Sequence, residues 1–172
     1  KLLDKIHTFL DEQKPITVIV EMALRLAEDL VMTLDIEWLK GEINGLYEEG
    51  IPNESETGLK FKTIEKDKFK NYRSIMANIN IESTNEIHSF PIRLFIMQPI
   101  VTIEEWTKMV SPTGKKIMNA SPPELMVKDL KIDPHINIPY IVENAEINNI
   151  INGLRIELIN FLGRAKKELD KQ

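Results

Sequence analysis

The stretch EWLKGEINGLY, Glu37–Tyr47, combines residue types that a site could use with the apolar spacing of a helix. It carries a tryptophan, carboxylates and glycines within a short run. Leu39 and Ile43 recur at helical spacing, which is typical of the buried face of a helix. Gly45 or Gly50 lies where such a helix would stop, because glycine adopts the backbone angles of a helix terminus without a steric cost. The pattern alone therefore predicts a helix end.

Histidine and cysteine usage predicts no metal site and no cofactor. The chain has no cysteine, which excludes disulfides, thiolate zinc sites and cysteine nucleophiles. His7, His88 and His135 are far apart in the sequence, and none lies one helical turn from another as in an H-E-x-x-H motif. No serine lies in a G-x-S-x-G turn. Residues 112–116, PTGKK, lack the first glycine of a phosphate-binding loop and favour a plain turn.

Nuclease chemistry has only a weak local signal. No arginine is followed by a histidine four to six residues later, so the Arg–His pair of helical RNases is missing. Glu65–Lys68 has the local shape of the carboxylate–lysine motif of restriction-type nucleases, but so short a charged run favours a solvated turn. Neighbouring acidic residues on a helix point about 100° apart and do not converge. We therefore predict no catalytic residue, and we expect a non-catalytic chain while leaving an enzyme open.

Composition favours one domain spanning residues 1–172. The formal net charge is −5, which argues against nonspecific binding to nucleic acid or to an anionic membrane surface. No apolar run reaches the roughly 20 residues that a membrane span needs, and we expect a cytoplasmic protein without a signal peptide. Because the chain starts at Lys1 rather than Met, we expect either a fragment of a longer protein or a chain without its true N-terminus. The partner class favoured is protein, and a homo-oligomer stays open.

Helical periodicity dominates both ends of the chain. Residues 2–10, 16–34 and 36–47 each carry an apolar stripe at helical spacing, and Asp35 is predicted to cap the third helix. A long stripe from 142 to 168 predicts a C-terminal helix packed on the first ones. Its regularity outweighs Gly153 and Gly163, which each cost roughly 1 kcal/mol in a helix interior.

The middle of the chain predicts strands and short helices. Two-residue alternation predicts strands over 58–64, 73–82 and 87–97, and Pro91 restricts the last to an edge or a bend. Capping signals that begin at Thr102 and Ser121 predict short helices ending near residues 110 and 130. The predicted fold class is α+β and helix-dominant: an N-terminal three-helix unit, a small antiparallel sheet and a long C-terminal helix.

The same stretch also supports a family resemblance. Its matching residues continue through a Pro-containing turn to a Tyr-Arg pair that leads into an extended segment. They are Ala27, Trp38, Leu39, Glu42, Ile43, Asn44, Gly45, Leu46, Pro52, Tyr72 and Arg73. With a closing helix centred on Arg155, this pattern resembles the AbiTii-type domain of bacterial abortive-infection proteins. The resemblance covers about the first 75 and the last 30 residues, and Lys70–Asn71 departs from it, since the family has a proline or an acidic residue there.

The resemblance implies an interaction or sensor module of an antiphage defence system, with no catalytic set to carry over. The implied partner is a phage or host protein, or another domain of the same chain. Trp38, Glu42, Tyr72 and Arg73 have two interpretations: a structural one, in which Glu42 pairs with Arg73, and a binding surface. The alternative function is a toxin domain with enzymatic activity against nucleic acid, and a third is a helical scaffold unrelated to defence.

Overall fold

A computed structural model describes residues 1–46, 66–83, 86–109 and 111–172. Within these ranges four helices come first, and the β1–β2 hairpin and a mixture of helices and strands follow. The helices are α1 (Leu2–Asp11), α2 (Ile16–Asp29), α3 (Thr33–Asn44), α4 (Lys66–Arg73), α5 (Ile100–Lys108), α6 (Glu124–Leu130) and α7 (Asn144–Asp170). The strands are β1 (Ser74–Ser83), β2 (Glu86–Phe95), β3 (Lys115–Ala120) and β4 (Ile138–Glu143). The predicted α+β class, with three N-terminal helices and a long C-terminal helix, is confirmed.

The helical layer is built around α7. Most of its apolar stripe is buried and packs on α1, α2, α4 and α5. The buried members are Ile147, Ile150, Leu154, Leu158, Phe161, Leu162 and Ala165. A stripe of this width needs a partner on its whole length, which explains why the first helices and the last one share one core.

The sheet is antiparallel with the strand order β2-β1-β4-β3. Ile75, Ala77 and Ile79 of β1 turn one face of it toward the core, as the two-residue alternation predicts. Asn78 lies opposite Pro91 of β2, which is an edge strand. The restriction of Pro91 to an edge is therefore confirmed.

The predicted N-caps are wrong at all three positions. Asp35 lies inside the first turn of α3, whose N-cap is Met32. Helix α5 begins at Ile100 after Pro99, and α6 begins at Glu124 after Pro123, with no side-chain cap in either case. In both helices a proline in extended conformation sets the entry direction, so Thr102 and Ser121 are not needed as caps.

Three elements were missed by the sequence prediction. Residues 66–68, expected in a solvated turn, begin α4, and Arg73, expected to start a strand, ends that helix. Strands β3 and β4 pair with each other across more than 15 intervening residues, and each is only six residues long. Lysines in β3 and a proline in β4 obscure the alternation of apolar and polar residues. Whether these segments form strands is therefore decided by their long-range pairing. The predicted strand 58–64 and turn 48–55 lie outside the described residues.

Candidate functional site

The four predicted site residues converge in the interior. Trp38 and Glu42 are one turn apart on α3, and Tyr72 and Arg73 are the last two residues of α4. Glu42 and Arg73 have no exposed surface, and Trp38 and Tyr72 are 2% and 5% exposed. We call these four residues the buried quartet. Spacing of four residues along a helix places two side chains on one face, which is how α3 supplies half of it.

Glu42 and Arg73 form a two-pronged ion pair. The Arg73 Nη2 atom lies 2.5 Å from Glu42 Oε2, and Nε donates to Oε1 at 3.1 Å. The planar guanidinium matches the two carboxylate oxygens in this geometry. The pairing that the sequence predicts is therefore present.

Arg73 also holds the chain between β2 and α5. Its Nη1 atom donates to the carbonyl oxygens of Ile96 at 2.9 Å and of Gln98 at 2.8 Å. Burial works to lower the pKa of Arg73, but the Glu42 carboxylate outweighs it and the net pKa is raised. The guanidinium stays charged, and it ties α4 to α3 and to the β2–α5 connection.

Tyr72 completes the hydrogen bonding of the quartet. Its hydroxyl donates to Glu42 Oε1 and accepts from Trp38 Nε1 at 2.8 Å. Burial, followed by the nearby Glu42 carboxylate, raises the pKa of Tyr72 well above its ordinary value. The phenol is therefore held neutral as a donor.

Helix α7 closes the quartet from the other side. The Trp38 ring packs on Phe161 with centroids 6.4 Å apart. A Cβ atom at Gly153 would lie 2.3 Å from the Cβ atom of Tyr72, a distance that real side chains do not reach. Gly153, which looks costly from the sequence, is thus required by the close approach of α4 to α7.

The chemistry of the quartet is directed inward. Its ionised and hydroxyl groups bond each other or main-chain carbonyls, and its four side chains give an outside molecule almost no surface. Buried ion pairs of this kind add little net stability but are costly to break. The arrangement acts as a structural tie between helices, whereas a binding role for these four residues remains a prediction.

A second polar cluster was missed by sequence reasoning. The carboxylate of Glu104 accepts from the main-chain N–H of Ile16 at 2.5 Å and so caps α2 from α5. Arg155 of α7 donates to the Lys14 carbonyl at 3.2 Å. Burial lowers the pKa of Arg155 and the Glu104 charge opposes the change. No sequence signal links residues 88 positions apart, so only the fold shows this cap.

The three histidines stay apart. His7 is on α1, His88 on β2 and His135 in the connection before β4, all at exposed positions. Over residues 1–46, 66–83, 86–109 and 111–172, no three His, Cys, Asp or Glu side chains are grouped as metal ligands would be. In the same ranges no helix has both the length and the apolarity to cross a bilayer.

The surface beside the sheet carries an apolar groove. It has a volume of about 340 Å³ and lies between α6 and the β1–β2 hairpin. Phe90 and Leu130 line it and are about half exposed, and Asp129 is the one ionisable residue among the described residues of its lining. Such a surface suits contact with an apolar partner better than chemistry on a polar substrate.

The chain matches no model of a known protein family, no curated protein and no solved structure. The AbiTii-type resemblance therefore rests on the sequence motif alone and stays a prediction.

Proposed function

We propose that this chain is a non-catalytic interaction or sensor module of a bacterial antiphage abortive-infection system. The defence context comes from the AbiTii-type resemblance of the motif around Trp38. The single structural observation in favour of a non-catalytic module is the burial of the quartet. The polar residues that carry the resemblance hold α3, α4 and the β2–α5 connection together.

The proposed partner is a protein, either a phage or host component or another domain of the same chain. Two features support this choice, one from the sequence and one from the described surface. The net charge of −5 disfavours nucleic acid, and large apolar side chains such as Phe90 and Leu130 are exposed beside a groove. We further propose a cytoplasmic location, where phage components would be met.

The toxin alternative makes a different prediction for growth. If the chain were a toxic enzyme, its induced expression would arrest cells, and a surface substitution that leaves the fold intact would abolish the arrest. For a non-catalytic module we expect growth to continue. Arrest that survives every substitution which leaves the melting temperature unchanged would contradict both predictions, and the second readout is phage infection.

The decisive experiment is a plaque assay with the full native gene in its bacterial host. We expect phage plating to fall when the gene is present and to recover when this domain is deleted. Arg73→Ala should also restore plating, in parallel with a lowered melting temperature, because it acts through the fold. Unchanged plating with and without the gene, across a phage panel, would refute the defence role.

A further inference from the structure

A second groove lies at the C-terminal end of α7. It has a volume of about 450 Å³ and is formed by the connection between α2 and α3, the start of α3 and the last turns of α7. We call it the end groove. Clefts of roughly 300–1,000 Å³ are large enough to take a ligand or an anchoring side chain.

The rim of the end groove carries a strained valine. Val31 has φ of 55°, in the left-handed region, and is 77% exposed. Helix α2 ends there with the Met32 N–H donating to the Ala27 carbonyl at 2.9 Å and the Val31 N–H donating to the Glu28 carbonyl at 3.1 Å. This helix-ending pattern favours glycine at the position that Val31 occupies. A β-branched side chain is out of place there, because its Cβ crowds the backbone.

Leu34 extends the apolar rim. It is 63% exposed in the first turn of α3 and lines the same groove as Val31. Neither side chain contributes to the core. The chain thus keeps two large apolar groups on the surface, one of them at a conformational cost.

Positive charge surrounds this rim. Arg164, Lys167 and Lys171 of the α7 end line the groove together with two carboxylates. Arg164 bonds Asp35 at 2.6 Å and Lys171 bonds Glu168 at 2.7 Å, so each carboxylate already has a cation. Among the described residues Lys167 has no ion-pair partner. The described lining of the groove therefore has one more cationic than anionic side chain, on a chain whose net charge is −5.

We infer that the end groove binds an acidic segment of a partner protein that anchors itself with an aliphatic or aromatic side chain. The apolar anchor would pack on Val31 and Leu34, and a flanking carboxylate would pair with Lys167. The Arg164–Asp35 pair ties α7 to α3 within the lining of the groove. This inference rests on the proposed function, because it names the chemistry of the module's partner.

The test uses a phage-displayed library of linear peptides, panned on the intact protein and followed by titration of one synthetic enriched peptide. We expect enriched sequences to combine Asp or Glu with a large apolar residue. We also expect amide chemical-shift changes at residues 30–35 and 164–171. Enrichment of peptides without acidic residues, shifts centred elsewhere, or no enrichment at all would overturn the inference.

Substitutions at the rim separate the contribution of the apolar anchor to peptide affinity from that of the charged side chain. Leu34→Glu should weaken peptide binding at least about tenfold, and Lys167→Glu about fivefold with a loss of salt dependence. The matched controls are Ile117→Glu, at a site on β3 that is 65% exposed, and Lys166→Glu, next to Lys167 but outside the groove. Equal losses in a control and its matched variant would overturn the inference.

Val31→Gly gives a readout that a merely structural role would not. Glycine relieves the left-handed strain, so the melting temperature should rise by about 2–4 °C while peptide affinity falls at least about threefold. A higher melting temperature with unchanged affinity would mean that the valine is not an anchor. A dimer at high concentration that Leu34→Glu dissolves would assign the groove to a second copy and overturn the acidic-partner inference.

The two proposals fail differently. If the peptide binds as described but the full gene gives no protection from phage, the surface stands and the defence role fails. If the gene protects and Leu34→Glu protects equally well, the defence role stands and the end groove is not its partner site.

Discussion

In the part of the chain that the structure describes, two arginine–carboxylate pairs have similar shortest N–O distances and different surroundings. Arg73–Glu42 and Arg164–Asp35 have shortest N–O distances of 2.5 and 2.6 Å. The first is wholly buried, whereas the Arg164 side chain is 42% exposed at the rim of the end groove. Both pairs connect α3 to a later element of the chain.

The difference lies in what else each arginine can reach. Arg73 also bonds two main-chain carbonyls and, through Glu42, the Tyr72 hydroxyl, so its environment is closed. Arg164 faces solvent on one side and stands beside Lys167. The same chemical pair thus fixes the packing in one region and supports a surface open to a partner in the other.

The largest expected effect separates the two pairs directly. Arg73→Ala leaves the Glu42 carboxylate buried without its cation and should lower the free energy of unfolding by about 3–5 kcal/mol. Arg164→Ala should cost about 1–2 kcal/mol, because the Arg164 side chain is 42% exposed and its removal opens the largely buried Asp35 carboxylate to water. Urea denaturation of both variants measures the gap, and equal costs would break the comparison.

A double variant serves as the control. Glu42→Leu combined with Arg73→Met removes both charges together and should cost less than the sum of the two single changes, since no unpaired charge is left inside. Additive losses would mean that the pair is not coupled.

Two glycines of α7 provide the next test. Gly153→Ala would force its Cβ against Tyr72 and should destabilise by about 1–3 kcal/mol, even though alanine favours helices. Gly163 has no neighbour within 4 Å of an added Cβ, so Gly163→Ala should stabilise by about 0.5–1 kcal/mol. Thermal unfolding gives the sign for each, and two changes of the same sign would contradict the close approach at Tyr72.

Alkaline pH should weaken the quartet selectively. Because the folded pKa of Tyr72 is raised, the stability linked to it is complete below pH ~10 and is lost as pH rises toward the folded value. The slope from this group approaches about 1.4 kcal/mol per pH unit. Tyr72→Phe should therefore flatten the fall in unfolding free energy between pH 9 and 11, measured by urea titration at each pH.

Tyr140 offers a comparison for that experiment. Burial alone raises the pKa of Tyr140, without the carboxylate that adds to the rise at Tyr72, and the Tyr140 hydroxyl donates to the Ser121 carbonyl. Tyr140→Phe should flatten the profile less than Tyr72→Phe does. The opposite ranking would place the alkaline sensitivity outside the quartet.

The smallest expected effect concerns the end groove. Leu34→Glu should change the free energy of unfolding by no more than about 0.5 kcal/mol, because the side chain is exposed and a first-turn carboxylate suits the helix dipole. Leu39→Ala, on the buried face of the same helix, should cost about 2–5 kcal/mol. A large loss for Leu34→Glu would show that the groove belongs to the core.

Local sequence patterns predicted much of the helical framework and part of the candidate site. The stripes of α1, α2, α3 and α7, the β1 alternation and the edge position of Pro91 are all readable from periodicity. The pairing of Glu42 with Arg73 was one of two interpretations of residues that carry the family resemblance, and the structure contains it. Strands β3 and β4 were not predicted, because six-residue strands with lysine and proline carry too little pattern.

By itself the sequence determined the helices near both ends of the chain and the β1–β2 hairpin, because these follow from spacing within a single segment. It also determined the residue types of the quartet. Only the tertiary structure decided that α4 lies against α7 at Gly153, that Glu104 caps α2, and that Val31 and Leu34 share a rim with Lys167. Each of these joins residues distant in the chain. The physical reason is that burial and charge pairing depend on which elements meet, and no local periodicity encodes that meeting.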